Sequence, residues 1–468
     1  MNKLYYILIH IAIIICIAIS CKKNKILLGN SFNIETSTDT ILFDTLFTTI
    51  GSTTKYFKCH NKHNGILKVD NINLENGTNS PFRINVDGVS GVNFENIEIL
   101  PGDSIFIFVE VTIDPSGGNL PFVVEDKINF TTNGNTTEVT LNAWGQDAIF
   151  HVNEIVSGNW SNDKPHVIYG LAAVGFPNVD SNLSLTIQAG TKIYGHSNAI
   201  LYVYKSSLQI NGELNNPVSL QQDRLEDYLL YPADSVAGQW RGIYLSHASS
   251  SSILHAEIKN AVIGVQIDTF SNNSNVIIDK TKINNSLYAN ILTQGANLLA
   301  TNCLFGNSNN YSGYISIGGS VEFENCTFAN YANTNRNTPS VIFKDYYETT
   351  NSQIISRPFE TAKFINCIID GNNKTELTCD TINNYTNNFG NILFEHCAIK
   401  SEDSLTNLNL FNNCYLNLQS NFQDVDSWDF DLTENSEFID LGTSSSIIDD
   451  ILERPRSVPN DLGCYEFQ

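Results

Sequence analysis

A short phrase of alternating apolar and polar residues, often ending in Asn-Cys and an apolar pair, recurs through the second half of the chain. Its copies centre on Ala261, Thr281, Cys303, Cys326, Tyr346, Cys367, Cys397 and Cys414. From residue 261 to residue 397 the intervals are 20, 22, 23, 20, 21 and 30 residues. Alternation of period two indicates strands, and a repeat this short has no room for a crossover helix. The repeat therefore predicts strand coils stacked as a parallel β-helix.

The position before each repeat centre predicts a bend between two strands. This column contains Asn260, Lys280, Asn302, Asn325, Asp345, Asn366, His396 and Asn413. Asn accepts a left-handed backbone more readily than most residues, so it suits a tight bend. Stacked coils bring such side chains about 4.8 Å apart. We therefore expect a ladder of amide hydrogen bonds along this column.

The repeat centres themselves are predicted to point into the coils, and four of them are Cys303, Cys326, Cys367 and Cys397. Cys behaves as a small buried hydrophobe in such a position. Disulfides and metal ligation are the alternatives. Parallel stacking seldom aligns Cβ atoms for a bridge, and one Cys per coil matches no zinc spacing. We expect free buried thiols and predict no metal and no cofactor.

Two other segments have a metal-like composition. Cys59-His60-x-x-His63 lies in a polar turn without a further ligand nearby, so we interpret it as an ordinary loop. The acidic string from Asp424 to Asp431 could bind calcium, but its spacing is not that of an EF-hand. We expect it to form a turn in a closing segment.

Residues 1–20 have the features of an export signal. An apolar run over residues 4–20 follows a basic start and is short for a membrane-spanning helix. The run ends in AISC, which resembles the bacterial lipobox and places the lipidated residue at Cys21. An uncleaved membrane anchor is the alternative. We expect a tether over residues 21–33 and an outer-membrane lipoprotein of the cell envelope, facing either the periplasm or the surface.

Composition limits the partners that the chain can have. The net charge is −23, although only 16% of residues are charged. An acidic chain with few arginines is a poor partner for nucleic acid. The same sign argues against polyanions such as polyuronates, unless a local basic patch overrides it. Possible partners are therefore the membrane, through the lipid, and glycans or another envelope protein.

The chain divides into several predicted parts. Residues 34–147 contain short alternating runs, and Asn133-Gly134 between two of them is a strong hairpin signal. Such spacing predicts an immunoglobulin-like β-sandwich. Residues 148–421 are assigned to the β-helix. Because the open end of a β-helix needs a cover, residues 422–468 are predicted to cap it.

A polar loop between Gln221 and Gln239 interrupts the predicted coils. Loops on repeat scaffolds often contain binding residues, and aromatic rings beside them can stack on sugars. The alternative is a surface bulge that only packs on the next coil. The candidate ligand-binding residues are Arg224, Tyr228, Trp240 and Arg241.

The end of the chain resembles a known family. DFDL, SEFIDLG, RPR and DLGCYE in the last forty residues are similar to the closing pattern of Bacteroidota lipoproteins with a right-handed parallel β-helix of the pectin-lyase-like type. PFRINVDGVSG and QWRGIYL also resemble that family. The resemblance implies the fold and an envelope location, but it transfers no catalytic residue. Glu437-Phe438 and Glu453 depart from the family pattern.

Two functions fit these observations. One is a non-catalytic envelope protein whose rigid rod serves binding, adhesion or structure. The other is a polysaccharide lyase or glycoside hydrolase, since one scaffold hosts many functions. Glycosidase chemistry needs two nearby carboxylates, whereas the outward column predicts the ion pairs Lys259/Asp279 and Glu324/Lys344. We therefore favour the binding protein and name no catalytic residue.

Overall fold

The computed structural model describes residues 25–225, 232–268, 275–332, 335–382, 391–404 and 410–468. The predicted export signal and Cys21 lie outside these ranges. The chain forms two compact units, Met1–Asp147 and Ala148–Gln468. The described residues of both units form mainly strands, which confirms the predicted all-β fold class. In the described ranges, no helix has the length and hydrophobicity needed to cross a membrane.

The first unit is a sandwich of two five-stranded sheets. Sheet 1 contains, in spatial order, Glu35–Thr36, Lys55–His60, Ser104–Val111, Phe82–Val86 and Val89–Gly91. Sheet 2 contains Thr40–Phe47, Asn135–Gln146, Phe122–Thr132, Leu67–Leu74 and Asn93–Ile99. Alternate residues of both sheets point into one apolar core, as the period-two pattern predicts. Asn133 and Gly134 have φ values of 51° and 85°, which is the backbone of the predicted hairpin turn.

In the described residues, the second unit is a parallel β-helix with 26 strands. In chain order these are Ile149–Ile155, Gly158–Trp160, His166–Val174, Ser184–Ile187, Lys192–Gly195, Ile200–Tyr204, Ser207–Asn211, Val218–Gln222, Gly242–Ser246, Ser251–Leu254, Ala256–Lys259, Ile263–Asp268, Val276–Asp279, Lys282–Asn284, Ala289–Thr301, Leu304–Gly306, Tyr311–Glu324, Thr327–Asn330, Val341–Lys344, Thr361–Ile365, Ile368–Gly371, Leu377–Asp380, Ile392–Glu395, Ala398–Ile399, Phe411–Asn412 and Tyr415–Leu416. Two short hairpins (Tyr346–Glu348 with Ile354–Ser356, Phe422–Asp424 with Asp429–Leu432) and two 3₁₀ turns (Gly77–Asn79, Ala233–Ser235) complete the described elements.

Each coil contributes strands to three faces, and successive strands of one face pair in parallel. Face A includes Ile200–Tyr204 and Gly242–Ser246, which pair directly. Face B includes Ser207–Asn211 and Ser251–Leu254. Face C includes Val218–Gln222 and Ala256–Lys259.

The thiol column lies on the inner side of the bend between faces B and C. Thr281, Cys303, Cys326, Cys367, Cys397 and Cys414 follow one another in register. Each of these cysteines is free, and its thiol donates to a backbone carbonyl of the preceding coil at 3.2–3.4 Å. Burial raises the pKa of Cys303 and Cys367, so these thiols stay protonated.

Two repeat centres were assigned to the wrong column. The Thr281 hydroxyl contacts the Ala256 amide at 3.3 Å, so Ala256 and not Ala261 precedes Thr281. The strand before Tyr346 lies on face A, where it pairs with Tyr311–Glu324 and Leu377–Asp380. Each coil has several apolar strands and more than one bend, so the phrase recurs at different corners. The step from Cys326 to Cys367 is consequently one coil of 41 residues, not two.

The predicted amide ladder occurs at another corner. Asn302, Asn325 and Asn366 have φ values of 50–53°, but the side chains of Asn302 and Asn366 bond to the C-terminal segment. Asn260 instead bends the chain between faces C and A. There its side chain accepts from Asn285 at 2.7 Å and donates to Gln222 at 2.8 Å. Asp345 is absent from the residues with a left-handed backbone.

The predicted outward ion pairs are wrong for the same reason of register. Lys259 lies opposite Asn284, and Asp279 lies opposite Thr301. Glu324 lies opposite Ile365. Lys344, on face A, is 3.5 Å from Asp380.

The C-terminal segment, residues 422–468, packs along the flank of the coils and not across their end. Its apolar residues cover the outward row of face C that includes Leu304, Ile368 and Ala398. Polar contacts extend from His255, which lies 3.3 Å from Glu453, through Lys280, which binds Asp449 at 2.8 Å, to Tyr415, which donates to the Leu441 carbonyl at 3.1 Å. This corrects the predicted end cap. The segment needs an apolar surface, and face C supplies one on the side.

A charged clamp closes this segment. Arg454 donates to both carboxylate oxygens of Asp431, at 2.8 and 2.9 Å, and to Asp450 at 2.7 Å. Arg456 donates to Glu466 at 3.2 Å and to Asn302 at 2.7 Å. The arginines of the RPR motif thus form ion pairs, one of them with Asp431 of the DFDL motif, that hold the C-terminal segment together.

Candidate functional site

The structure separates the residues that the sequence proposed as a ligand site. Trp240 is only 1% exposed and lies in the β-helix core, where its indole N–H donates to the Lys259 carbonyl at 2.9 Å. It is therefore unable to stack on a sugar, which corrects that prediction. Arg241 is exposed, Arg224 is half-buried, and Tyr228 lies outside the described residues.

Next to this loop is a polar cluster that sequence reasoning missed. His196 Nδ1 is 2.7 Å from Asp223 Oδ2, and the Tyr169 ring stacks on the His196 ring at 4.1 Å. Burial raises the pKa of Asp223, while His196 and Arg224 oppose that shift. The cluster spans three successive coils, and its groups are already in contact with one another.

A set of outward side chains that contains several tyrosines lies on face A. One row, called here the aromatic row, crosses seven strands in register: Tyr202, Tyr244, Gln266, Leu292, Tyr314, Ile342 and Thr378. Seven strands give six spacings of about 4.8 Å, so the row is about 29 Å long. Alternation places these residues outward, because their chain neighbours point into the core.

A second row, called here the polar row, runs beside the first. It contains Tyr204, Ser246, Asp268, Gln294, Ser316, Lys344 and Asp380. The two rows lie two residues apart on each strand, so both face the same side. Together they form a strip of ring, amide, hydroxyl and charged groups.

The tyrosines at the first end of the strip are held in place by their neighbours. Tyr202 and Tyr244 have ring centroids 5.3 Å apart, and Tyr204 stacks beside Tyr202 at 6.4 Å. The Tyr244 hydroxyl donates to Asp268 at 2.8 Å. Burial, with the hydrogen bond to Asp268, raises the pKa of Tyr244 to about 12, so the phenol remains a hydrogen-bond donor.

A second group of rings lies further along face A. Tyr288, Tyr311 and Tyr314 have mutual centroid distances of 5.1–5.9 Å. Burial is the largest cause that raises the pKa of all three phenols. Nearby, Lys344 and Asp380 are 3.5 Å apart.

Fixed, partly exposed rings beside hydrogen-bonding groups are suited to binding a ligand that has both apolar and polar surfaces. The sequence contained a signal for the strip, since AILYVYKS, GIYLS and GYISIG place tyrosines at outward positions of alternating strands. Nothing in one strand shows which residue of the next coil lies beside it, so the rows were missed.

The side chains of the two metal-like segments point apart or bond to other protein groups. Cys59 is fully buried in the sandwich core, where burial raises its pKa to about 12, whereas His60 points to the other side of its strand. In the closing segment, Asp424 accepts from Ser427 at 2.7 Å and Asp431 binds Arg454. Across the described ranges, no three His, Cys, Asp or Glu side chains are placed to hold a metal ion.

Comparison with known proteins gives little. No family model and no curated protein matches the sequence. A similar solved structure is a family 123 glycoside hydrolase from Clostridium perfringens, described for glycolipid glycan hydrolysis. That match has 9% identity and a TM-score of 0.18, and it covers 25% of this chain and 26% of the hydrolase. Another is an ASH/PapD-like domain of human CEP192, with 12% identity, a TM-score of 0.17, and coverage of 27% and 94%. Similarity at this level supports no functional argument.

Proposed function

We propose that the protein is an exported, lipid-anchored envelope protein that binds an extended glycan without cleaving it. The aromatic and polar rows of face A carry this proposal. Over about 29 Å, three of the seven strands carry the rings of Tyr202, Tyr244 and Tyr314, and the strands between and beyond them carry hydrogen-bonding groups. A polysaccharide also extends in one direction, so the separate rings would contact different sugars of the same glycan.

Binding is favoured over catalysis because the charged groups of the strip are paired with each other. Asp268 accepts from Tyr244, and Asp380 accepts from Tyr346 at 2.9 Å and lies beside Lys344. Groups held in this way orient a ligand well. A general acid or base needs direct access to the proton that it transfers.

The binding site is tested with the purified full chain and a panel of soluble neutral polysaccharides: xylan, mannan, galactan and β-glucan. In affinity electrophoresis we expect at least one of them to retard the protein. The double variant Tyr202→Ala/Tyr244→Ala should lose most of this retardation. Ile277→Ala, which changes an exposed apolar residue on face B, should keep it. If no polysaccharide retards the chain, or if the tyrosine variant is retarded as strongly as the wild type, the proposal is wrong.

Export and the anchor are supported by the sequence of residues 1–21 and by the resemblance to Bacteroidota β-helix lipoproteins. Cys21→Ala should abolish labelling by a fatty-acid probe in cells and leave an unprocessed chain. Cys16→Ala, five residues earlier in the same segment, is the matched control and should keep both labelling and processing. Normal labelling of the Cys21 variant would exclude this anchor.

A specific observation also keeps an enzyme as the second candidate. Face B contains a cleft of about 390 Å³ that includes Glu322 and Glu360, with Glu360 accepting from Ser320 at 3.5 Å. Two carboxylates in one cleft are the groups that glycosidases use. Glycan cleavage by the wild type that disappears in both Glu322→Gln and Glu360→Gln would put this function first.

A further inference from the structure

The sandwich has an exposed aromatic surface that its own core does not require. Tyr56 on strand Lys55–His60 lies opposite Phe108 on strand Ser104–Val111, and Phe106 lies opposite Lys58. The three ring centroids are 5.7–6.0 Å apart, and Phe106 and Phe108 are nearly parallel. Tyr56 is 60% exposed, and each phenylalanine is 36% exposed. We call Tyr56, Phe106 and Phe108 the aromatic platform.

Cross-strand aromatic pairs also stabilise sheets, so rings on a solvent face do not by themselves make a site. The second observation is a cleft of about 700 Å³ that begins at Phe108. This volume is within the range of small-molecule sites. Its polar lining residues are Thr54, Arg83, Asn85, Ser90 and Glu110.

These polar groups are held in fixed positions. Asn85 donates to Ser90 at 3.1 Å and accepts from the Gly88 amide at 2.8 Å. Thr54 donates to Glu110, which lies opposite Arg83 on the neighbouring strand. The cleft therefore offers oriented donors and acceptors next to a flat apolar surface.

The local charge indicates which ligand fits. Lys58 Nζ lies 4.7 Å above the Phe106 ring at one side of the platform, and Arg83 is exposed at the other. Two carboxylates lie nearby, Glu110 in the cleft and Asp87, whose amide donates to the Phe106 carbonyl at 3.0 Å. The two cations balance these charges locally, whereas the chain as a whole has a net charge of −23. An anionic ligand is therefore repelled less here than by the rest of the chain, and either cation can pair with it.

We propose that the aromatic platform and its cleft bind an anionic saccharide. A pyranose ring has an apolar face of C–H groups, which can lie on the aromatic rings, and a rim of hydroxyls, which can bond to Asn85, Ser90 and Glu110. A carboxylate on the sugar would pair with Arg83 or Lys58. A wholly apolar ligand would leave these polar groups unsatisfied. The site belongs to the sandwich and is independent of the face A strip.

Isothermal titration of the full chain with hexagalacturonate, and with its methyl ester, tests the proposal. The acid form should bind at least tenfold more tightly than the ester, and salt should weaken its binding. Phe108→Ala and Arg83→Gln should each lower the affinity about tenfold or more. Phe108→Tyr, which keeps an aromatic ring, should bind as tightly as the wild type. Lys68→Gln, a charge change on sheet 2, is the control and should bind as the wild type does.

Three results would overturn the proposal. They are no binding of either saccharide, equal binding of acid and ester, or equal affinity of Phe108→Ala and the wild type. Self-association of the full chain that Phe108→Ala abolishes would instead show that a second copy occupies the platform. Tyr202→Ala/Tyr244→Ala should leave hexagalacturonate binding to the platform unchanged, so failure of one site is distinguishable from failure of the other.

Discussion

Replacing Arg336 with Met should destabilise the β-helix, because it leaves a buried carboxylate without its cation. Arg336 donates to both oxygens of Glu376, at 2.6 and 2.9 Å, and the two side chains are 2% and 0% exposed. Glu376 also accepts from the amides of Ser340 and Asn373, each at 2.7 Å. Removing one partner of such a pair costs about 3–5 kcal/mol. With about 2.1 cal/mol/K of unfolding entropy per residue over residues 148–468, the Tm should fall by about 4–7 °C.

The pH dependence gives this prediction a second test. Burial raises the pKa of Glu376, and Arg336 opposes the shift, so the variant should have a still higher pKa. An acid whose pKa is higher in the folded than in the unfolded state binds its proton preferentially in the folded state, and stability therefore increases as pH falls. The difference between variant and wild type should shrink between pH 8 and pH 5.

Differential scanning calorimetry at several pH values measures both effects. Lys374→Met is the matched control, because its ion pair with Glu402 is at 2.9 Å but its side chains are 81% and 64% exposed. It should change the Tm very little. Adding Glu376→Gln to Arg336→Met should recover most of the loss. A change in Tm for Arg336→Met as small as that of the control, or a deficit that grows at acidic pH, would refute the reasoning.

Three further outcomes are expected. In the native protein, buried Cys326 should resist a bulky alkylating reagent, while half-buried Cys414 reacts first. Mass spectrometry after native and denaturing alkylation measures the two rates. Equal rates would contradict the burial of the thiol column. Burial and His151 lower the pKa of His166 to about 4. As pH falls below 6.5, the unfolded chain therefore binds a proton at this histidine before the folded chain does, and the free energy of unfolding should decrease by about 2 kcal/mol between pH 7.5 and pH 5. Urea unfolding of His166→Phe should show a flatter pH dependence. Gly463→Ala should lower the free energy of unfolding by about 1–3 kcal/mol in the same assay, because φ is +85° and the added Cβ would lie 2.5 Å from Ile368. An unchanged urea midpoint would show that the residues around Gly463 can move apart at little cost.

The class of fold could be predicted because its determinants are local. Alternation within VEFENCTF marks a strand, and the Asn before the Cys marks a bend, whichever coil it belongs to. The left-handed backbone at Asn302, Asn325 and Asn366 follows from the same local preference. The assignment of strands to faces is different. Ala261 resembles a repeat centre as closely as Ala256, and the extra hairpin between Cys326 and Cys367 imitated an additional coil.

The flank contact had a signal that was not used. In CLF, CII and CAI, the two residues after the cysteine are both apolar, one pointing outward and one inward, as in Leu304-Phe305 and Ile368-Ile369. A strand with two apolar faces is normally covered on both sides. The candidate site was harder to predict, because its rows consist of residues from seven coils. Trp240 was a false prediction for a related reason. Its residue type suggested a surface for stacking on sugars, but its position in the coil places it in the core.

The flank segment also determines how this rod comes apart. Coils that contact only their neighbours can fray one at a time from a free end. Here the C-terminal segment reaches back from Tyr415 to His255, so loosening the final coil must also release contacts several coils away. Residues 255–416 should therefore melt as one block. The C-terminal segment is synthesised after the coils that it covers. Until it folds onto them, the apolar stripe that includes Leu304, Ile368 and Ala398 stays exposed, and newly made chains are prone to aggregate through it.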